Sequence, residues 1–560
     1  MKRINEFPSE IISKIFTYLT FSEKKSCAST CRKWQNLILH SNFYEDLQIE
    51  GEEKFTLFNQ YFQKEENKLY RNQIRRLGIK VHFRNADQAN ALLALPEIHP
   101  NLQELVWENA TRYDIDESDT PKIVVNENIA EHWKRITSFQ DRNKYFLSSK
   151  ILEYGGFCNL VELRVVFVGN ERSEFKCNLL IQHLSNAPKL KTLRLEHGAM
   201  SLSHLHQLHC NAQQLEALWL QDMELANVGV NEQRPLISPN NTLKELRIFD
   251  CSKEYNENML QHMKYPNLQT LRVCFSKRCY EMYGENQLAE FVSHCPYLET
   301  YNVGMHPITP AIMGAIDASG AKLKNISITI WPEEDPLRQF KDVLKSNQKD
   351  SVHTMNTNYS YIYPFDKAKV KGTFDTLEAF PSLKNLDIAS IYFPSSHHFP
   401  LSNFLRKNLH LETLRLTDWN IENSNPLKKL WNDFSSEFKT TMTIKNLILD
   451  NVHCENEEFV PLISKTCPKL SKLTIFHDFN HELCNYEFPN HSFASITVIG
   501  PHNCYYQVTT EKETKCYKFV KGVLQKTCKE SPDSTNSPIF SLKYKSCKVL
   551  KIGNAYIDQP

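Results

Sequence analysis

Four arginines and one tryptophan recur at intervals of 25 to 30 residues in the middle of the chain. Each lies between two apolar residues of a short motif, as in TLRL and ALWL. A guanidinium group binds carboxylate or phosphate through paired N–H donors, and tryptophan offers a large apolar contact. This pattern could therefore bind an acidic or phosphorylated protein segment. The residues concerned are Arg164, Arg194, Trp219, Arg247 and Arg272.

The same stretch allows a simpler interpretation. Glu162, Glu196 and Glu245 occupy neighbouring positions. Carboxylates on adjacent strands could pair with the arginines across the sheet and leave an ordinary solvated face. The sequence leaves both interpretations open.

The five residues must be positioned by a repeated unit, an apolar-x-x-apolar-x-apolar motif. Most copies are 25 to 33 residues apart, and two longer steps of 58 and 60 residues are each close to two periods. Val352 begins a copy that fits the second long step, and Ile74 begins an early one. Residues near Phe493 and Val549 resemble late copies. The clear copies begin at Leu102, Leu160, Leu190, Leu215, Leu243, Leu268, Leu298, Leu323, Leu383, Leu411, Ile444 and Leu470.

Helix-like stretches separate several copies and end near proline or asparagine, as helix stop signals do. A strand motif of this kind, followed by a helix, is the signature of the leucine-rich repeat. We therefore expect an α/β fold, a curved solenoid with parallel strands inside and helices outside. The last two apolar residues of each motif should point into the core, and the residue between them should point to the inner face. The helix-like stretches are residues 177–188, 258–266, 287–296 and 461–468.

A histidine-rich stretch, SLSHLHQLHC, is the best candidate for metal binding. His206 and Cys210 are one helical turn apart and could share a metal, with His204 and His209 close by. Zinc requires four ligands, and no further ligand lies within evident reach. The 16 cysteines contain no C-x-x-C pair. We therefore expect an ordinary outer helix and no metal or other cofactor.

Composition excludes several classes of function. The chain has 66 Lys and Arg against 65 Asp and Glu, so bulk charge predicts neither nucleic-acid nor membrane binding. No signal peptide or membrane-spanning stretch is visible, and we expect a cytoplasmic or nuclear protein with reduced thiols. Only 15 glycines occur, without a Gly-rich phosphate-binding motif. No G-x-S-x-G or HExxH motif is present, so we do not expect an enzyme.

The stretch FPSEIISKIFTYL, residues 7–19, predicts a helix with unusually much apolar surface. At about 100° per residue, its apolar side chains cover an arc of roughly 160°, from Tyr18 through Ile11, Ile15 and Ile12 to Phe16, whereas one buried face needs about 100°. The excess predicts docking on a partner. Packing of these helices on the rest of the chain, as an N-terminal cap, is the alternative.

Residues 7 to 44 resemble the F-box. The matching motifs are Phe7-Pro8-Ser9-Glu10, Ile11-Ile12, Ile15-Phe16, Leu19, Thr30-Cys31-Arg32-Lys33-Trp34 and Phe43-Tyr44, in this order and without a gap. Lys24 and Lys25 stand where the family usually has leucines. The resemblance implies a three-helix module that docks on the Skp adaptor of SCF-type cullin ubiquitin ligases. It assigns docking to Phe7, Pro8, Ile11, Ile12, Ile15, Phe16, Leu19 and Trp34.

An F-box followed by leucine-rich repeats resembles a family of ligase substrate receptors. The resemblance implies a non-catalytic subunit that holds the adaptor with one end and presents a protein substrate for ubiquitination and proteasomal degradation. The expected segments are an F-box over 1–48, a linking or capping segment over 49–70, and repeats over 71–560 with an insertion at about 505–540. Two alternatives are a scaffold that acts without ubiquitination and a receptor that senses a small ligand.

Overall fold

The structure, a computed structural model, divides into two compact units, Met1–Gln287 and Leu288–Pro560. Among the described residues no helix is both long and apolar enough to cross a membrane. The described residues are 8–17, 19, 21–40, 44–81, 86–108, 123–142, 146–167, 174–225, 239–251, 259–274, 285–304, 306–330, 336–360, 367–391, 398–399, 404, 408, 410–421, 442–454, 459–476, 484–500, 504–520, 523–527, 539–553 and 555–557.

The first unit begins with three short helices, α1 (Ser9–Thr17), α2 (Phe21–Ala28) and α3 (Arg32–His40). The carbonyl oxygen of Pro8 accepts the first hydrogen bonds of α1, from the backbone N–H of residues 11 and 12 at 3.1 and 3.2 Å. A proline at this point costs no hydrogen bond, because the first N–H groups of a helix have no partner inside it. The predicted three-helix module is therefore present.

A run of parallel strands follows in the first unit, each paired with the next along the chain. The strands are Asp46–Glu50, Arg76–Lys80, Glu104–Glu108, Ser138–Arg142, Glu162–Val166, Thr192–Glu196, Ala217–Gln221, Glu245–Phe249 and Thr270–Cys274, with a short side pair, Ala199–Met200 and Glu224–Leu225. The helices between them are Glu52–Gln63, Lys68–Arg71, Ala86–Leu93, Leu95–Ile98, Glu127–Trp133, Leu147–Glu153, Glu174–Gln182 and Leu202–Asn211, and two 3-10 turns are Glu65–Asn67 and Leu184–Asn186.

The second unit repeats the arrangement. Its consecutive parallel strands are Thr300–Val303, Asn325–Ile330, Thr354–Ser360, Asn385–Ile391, Thr413–Thr417, Asn446–Asp450, Lys472–Phe476 and Cys484–Ile499, with a small side sheet of His398–Phe399, Asn420–Ile421 and His453–Cys454. Its helices are Pro310–Ser319, Pro336–Lys345, Lys367–Thr376 and Phe459–Thr466, with a 3-10 turn at Leu377–Ala379, and the helix Glu285–Ser293 lies at the division of the units.

The last part of the second unit departs from the repeat. The long strand Ile539–Ile552 pairs in parallel with both Cys484–Ile499 and Tyr505–Thr509. Antiparallel strands Thr514–Val520 and Val523–Thr527 extend the sheet, and Ala555–Ile557 turns back on the long strand. Part of the predicted insertion at 505–540 is thus β-structure, whereas its SPDSTNSP segment lies outside the described residues.

The predicted α/β architecture, a small helical region followed by a long series of parallel strands with helices, is confirmed. In several strand motifs the apolar residues alternate as expected, whereas in strand Asn325–Ile330 the intervening Ser327 is buried as well. Leu193 and Leu195 are fully buried, whereas Arg194 between them is half-buried. The copies expected from Ile74 and Val352 are present as strands Arg76–Lys80 and Thr354–Ser360.

The repeat motif did not predict the strand Ser138–Arg142. Ser138–Arg142 fills the first long step, but its third core position is Asp141 rather than an apolar residue. Asp141 is buried, and Oδ2 accepts a hydrogen bond of 2.7 Å from the backbone N–H of Ser148. Burial raises the pKa of this carboxyl group to about 6. A single polar core residue therefore concealed a repeat that is structurally regular.

The segment expected to link or cap, residues 49–70, contains repeat-like structure. It includes the end of strand Asp46–Glu50, which pairs with Arg76–Lys80, and the helix Glu52–Gln63. This strand and helix begin the parallel array of the first unit. The boundaries between the three predicted segments stay predictions.

A left-handed residue directly follows several repeat strands. In each case its backbone N–H donates to the last carbonyl of the next strand, as from Asp250 to Cys274 at 2.8 Å. Asp and Asn tolerate positive φ better than most side chains, so their presence here is a local requirement of the turn. The residues are His197, Asp222, Asp250, Asp418 and Asn451, with φ between 50° and 61°.

We expect Asp250→Gly to preserve this turn and Asp250→Val to weaken it. A β-branched residue at φ 54° should cost about 1–2 kcal/mol, so amide hydrogen exchange in residues 245–274 should become roughly tenfold faster. Mass spectrometry of the exchanged peptides provides the measurement. Thr270→Val, in an extended strand, is the control and should leave the exchange unchanged. Equal exchange in the glycine and valine variants would contradict the role assigned to the turn.

Candidate functional site

Helix α1 presents two different apolar surfaces. Ile12 and Phe16 are 0% and 2% exposed and form a core with Ile38 of α3. Ile11 and Ile15 are 47% and 39% exposed. On the helical projection the exposed pair lies at about 0–40° and the buried pair at about 100–140°. The wide apolar arc is therefore shared between a core and an open surface.

The remaining residues assigned to docking fall on both sides of this division. Trp34 is half-buried and packs edge-on against Phe16, with ring centroids 5.5 Å apart. Leu19 also packs against the core cluster, whereas Pro8 is exposed next to Ile11. Phe7 lies outside the described residues. The exposed docking candidates are thus Pro8, directly before α1, and Ile11 and Ile15 on α1.

Residues 4–49 match the model of the F-box-like family. This region is an F-box-like domain. Domains of this kind generally bind Skp-type adaptors. The match covers less than a tenth of the chain and does not describe the repeats that follow.

Comparison of the whole chain with known proteins adds little to this result. No curated protein matches the sequence. Among solved structures, the chain is similar to one chain of the crystal structure of the TLR13–ssRNA13 complex, with 12% identity and a TM-score of 0.34, over 77% of this chain and 71% of that one. The repeat architecture therefore rests on the strands and helices described above.

The five residues that opened the sequence analysis lie in one row across the first unit. Strand pairing aligns Arg164 with Arg194, Arg194 with Trp219, Trp219 with Arg247, and Arg247 with Arg272. All five belong to the open face, by which we mean the side of the strands turned away from the buried core. We call them the arginine row. Because adjacent strands are about 4.8 Å apart, the row spans roughly 20 Å.

Buried and half-buried carboxylates neutralise much of the arginine row. Glu196 is 5% exposed at its side chain and accepts from Arg164 at 2.8 Å (Nε to Oε1) and 3.3 Å (Nη2 to Oε2). It also forms an ion pair with Arg194, and Arg247 pairs with Glu245 of its own strand. The cross-strand pairing expected in the simpler interpretation is thus present for Glu196. Sequence identified this glutamate as a neighbour but gave no sign of its burial.

Trp219 lies between two guanidinium groups. The Arg247 Cζ is 4.1 Å from the indole centroid and the Arg194 Cζ is 5.2 Å away. Such cation–π contacts orient both arginines and separate their charges. Within the described part of the chain, neither Trp219 Nε1 nor Arg272 Nε has a hydrogen-bond partner. Both nitrogen atoms are buried, so the hydrogen-bonding capacity of this part of the row is unused in the structure.

The histidine-rich stretch forms the predicted outer helix, Leu202–Asn211, with Ser201 and His204 in a capping box. His206 Nε2 and Cys210 Sγ are 3.7 Å apart. No group of three or more His, Cys, Asp or Glu side chains able to hold a metal occurs among the residues that the structure describes. The predicted helix is therefore present in this stretch.

His209 of this helix has a structural role that the sequence did not show. It is buried, with Nε2 2.9 Å from the Tyr265 hydroxyl and Nδ1 3.1 Å from Asn240 Nδ2. Burial, reinforced by the charge of His206, lowers the pKa of His209 to about 3. Its ring is therefore neutral at physiological pH and joins two neighbouring repeats through hydrogen bonds.

The depressed pKa of His209 predicts acid sensitivity. Between pH 6.5 and about 3 the unfolded chain binds a proton at this residue and the folded chain does not, so the free energy of unfolding should fall by up to about 1.4 kcal/mol per pH unit. Urea unfolding from pH 7 to 4.5 should show a shallower decline for His209→Gln than for the wild type. The exposed His132→Gln is the control. A decline that His209→Gln leaves unchanged would contradict this assignment.

Proposed function

We propose that this protein is the substrate-recognition subunit of an SCF-type ubiquitin ligase and that it is not itself catalytic. The observation that carries the proposal is the F-box-like domain at residues 4–49, with exposed Ile11 and Ile15 beside a closed core. Such a subunit acts in the cytoplasm or nucleus, where the ligase works. Its repeats would hold a protein substrate for ubiquitination and degradation.

The exposed face of α1 has the properties of a docking surface. Two isoleucines one turn apart, with Pro8 before them, present contiguous apolar area on a domain of only three short helices. Burying each isoleucine against an adaptor should contribute about 1.5–3 kcal/mol at most, because these side chains are already partly covered. Ile12 and Phe16 would act indirectly, by keeping α1 packed against α3.

The double variant Ile11→Asp, Ile15→Asp should lose co-purification with the adaptor and cullin while the chain stays folded. Charged carboxylates on the docking face would have to be desolvated without a partner. A matched control is Leu57→Asp, since Leu57 is 57% exposed on the helix Glu52–Gln63 and lies outside the F-box-like domain. Circular dichroism checks folding. An undiminished complex with the double variant would overturn adaptor docking through α1.

The arginine row is the proposed substrate site. Glu196 and Glu245 already engage three of its four arginines, so a substrate carboxylate or phosphate is expected at the Arg272 end. Arg272 forms no ion pair within the described residues, and Trp219, two strands away, holds the neighbouring Arg247 in place through a cation–π contact. Carboxylates of the substrate would there form charge-assisted hydrogen bonds with a guanidinium group.

The double variant Trp219→Ala, Arg272→Glu should lose substrates and keep the adaptor. Substrates are defined as bound proteins whose abundance rises when the cullin is inhibited, and quantitative mass spectrometry of purified complexes measures their loss. At least a tenfold decrease is expected. Arg76→Glu, at an exposed position of an earlier strand, should have no effect. Retention of these substrates by the double variant would refute the site.

A scaffold that binds the adaptor without driving ubiquitination is the second candidate. Helix α2 favours it, because Lys24 and Lys25 make this part of the domain polar where the family usually has leucines. In that case bound proteins would keep the same abundance and ubiquitination after depletion of this chain. The same purification and abundance measurements therefore distinguish the two candidates.

A further inference from the structure

The end of the chain carries an excess of positive charge that the whole chain does not have. Residues 501–560 contain ten lysines, no arginine and five acidic residues, although the full sequence is almost balanced. Several of these lysines lie on the β-strands that close the second unit. Four of them share one side of the sheet, which gives part of the excess charge a defined surface.

The long strand Ile539–Ile552 separates its lysines from its core. Phe540, Leu542 and Tyr544 are at most 1% exposed. Lys543 and Lys545 alternate with them and therefore point to the open face of the strand. Farther along, Lys551 lies between buried Leu550 and Ile552 and is aligned with Thr497 of strand Cys484–Ile499. It belongs to the same open side.

A fourth lysine reaches this side from another strand. Tyr505 is aligned with Ile539 on one neighbour and with Lys518 on the other. The Lys518 Nζ donates to the Tyr505 hydroxyl at 3.3 Å and lies 4.4 Å from the centroid of its ring. We call the surface formed by Lys518, Lys543, Lys545 and Lys551 the lysine face.

The lysine face differs from the arginine row in its lack of internal neutralisation. Lys543 has a carboxylate neighbour, Glu487, at 3.6 Å, and both side chains are 44% exposed. Such an open pair contributes little and exchanges readily with solvent. Within the described residues, Lys518, Lys545 and Lys551 form no ion pair. In the arginine row, by contrast, Glu196 is 5% exposed and engages two arginines.

We propose that the lysine face binds an extended acidic segment of a partner protein. Lys543 and Lys545 are two residues apart on a strand, so their attachment points are about 6.6–7 Å apart. Alternate side chains of an extended peptide have the same spacing, and carboxylates at every second position could meet successive lysines. Few carboxylates lie on this side of the sheet to neutralise the lysines. The lysines would therefore attract an acidic segment and align it along the strand.

The same surface is less suited to single-stranded nucleic acid. Binding of that kind combines basic residues with aromatic rings on which bases stack. The two nearby tyrosines already have lysines over their rings, Lys518 at 4.4 Å from the Tyr505 centroid and Lys551 at 5.5 Å from that of Tyr556. A base would have to displace these ammonium groups, whereas a carboxylate can approach them directly.

Fluorescence anisotropy with the full-length protein tests the proposal. The probe is a labelled twelve-residue peptide of alternating Glu and Thr, with an alternating Gln and Thr peptide for comparison. The variant Lys518→Glu, Lys545→Glu, Lys551→Glu should bind the Glu peptide at least tenfold more weakly than the wild type. The variant with glutamine at the same three positions should lose less affinity for the Glu peptide. Because it removes the positive charges without adding negative ones, it is a check in case the glutamate variant misfolds.

The proposal would be overturned by unchanged affinity in both lysine variants, by equal binding of the Glu and Gln peptides, or by tighter binding of a ten-nucleotide oligo-U. The charge-matched control is a triple variant at exposed positions of the same unit, Lys322→Glu, Lys341→Glu, Lys349→Glu. Its affinity for the Glu peptide should stay within twofold of that of the wild type. The Trp219→Ala, Arg272→Glu variant separates this surface from the arginine row. Loss of peptide binding in that variant alone would overturn the lysine face and leave the proposed substrate site standing.

Discussion

Parallel pairing of successive strands, with the buried leucines of each motif against those of the next, is the constraint on which the rest of the structure depends. Leu193, Leu218 and Leu246 are aligned on adjacent strands and fully buried. A single strand-and-helix repeat cannot bury its apolar face, so stability arises only when neighbours stack. The same alignment carries the intervening residues into rows, and both surfaces proposed for binding are consequences of it.

Rows of like charge need compensation, because adjacent strands bring equivalent side chains close together. Arg164 and Arg194 are direct neighbours, and the buried carboxylate of Glu196 between them offsets their repulsion. Trp219 performs a related role by separating Arg194 from Arg247. The row is therefore preorganised, and its chemistry is decided less by the number of arginines than by which donors remain unused.

In the F-box-like domain, apolar residues of one helix have two different roles. A helix of nine residues must close a small core and still offer apolar area to a partner. Ile12 and Phe16 serve the core while Ile11 and Ile15 stay exposed, although the residue types are nearly identical. The direction of each side chain around α1, set by the helical period, makes this division.

The sequence by itself determined the class of fold and the position of almost every repeat, because buried leucines at fixed intervals leave few other arrangements. It also placed Trp219 and the arginines between core positions. Only the tertiary structure decided what those residues contact: that Glu196 is buried, that His209 is held by Tyr265, and that Asp141 occupies a core position. The contacts of Glu196 with Arg164 and of His209 with Tyr265 join residues 32 and 56 positions apart in the chain, and a local pattern of residue types does not contain them.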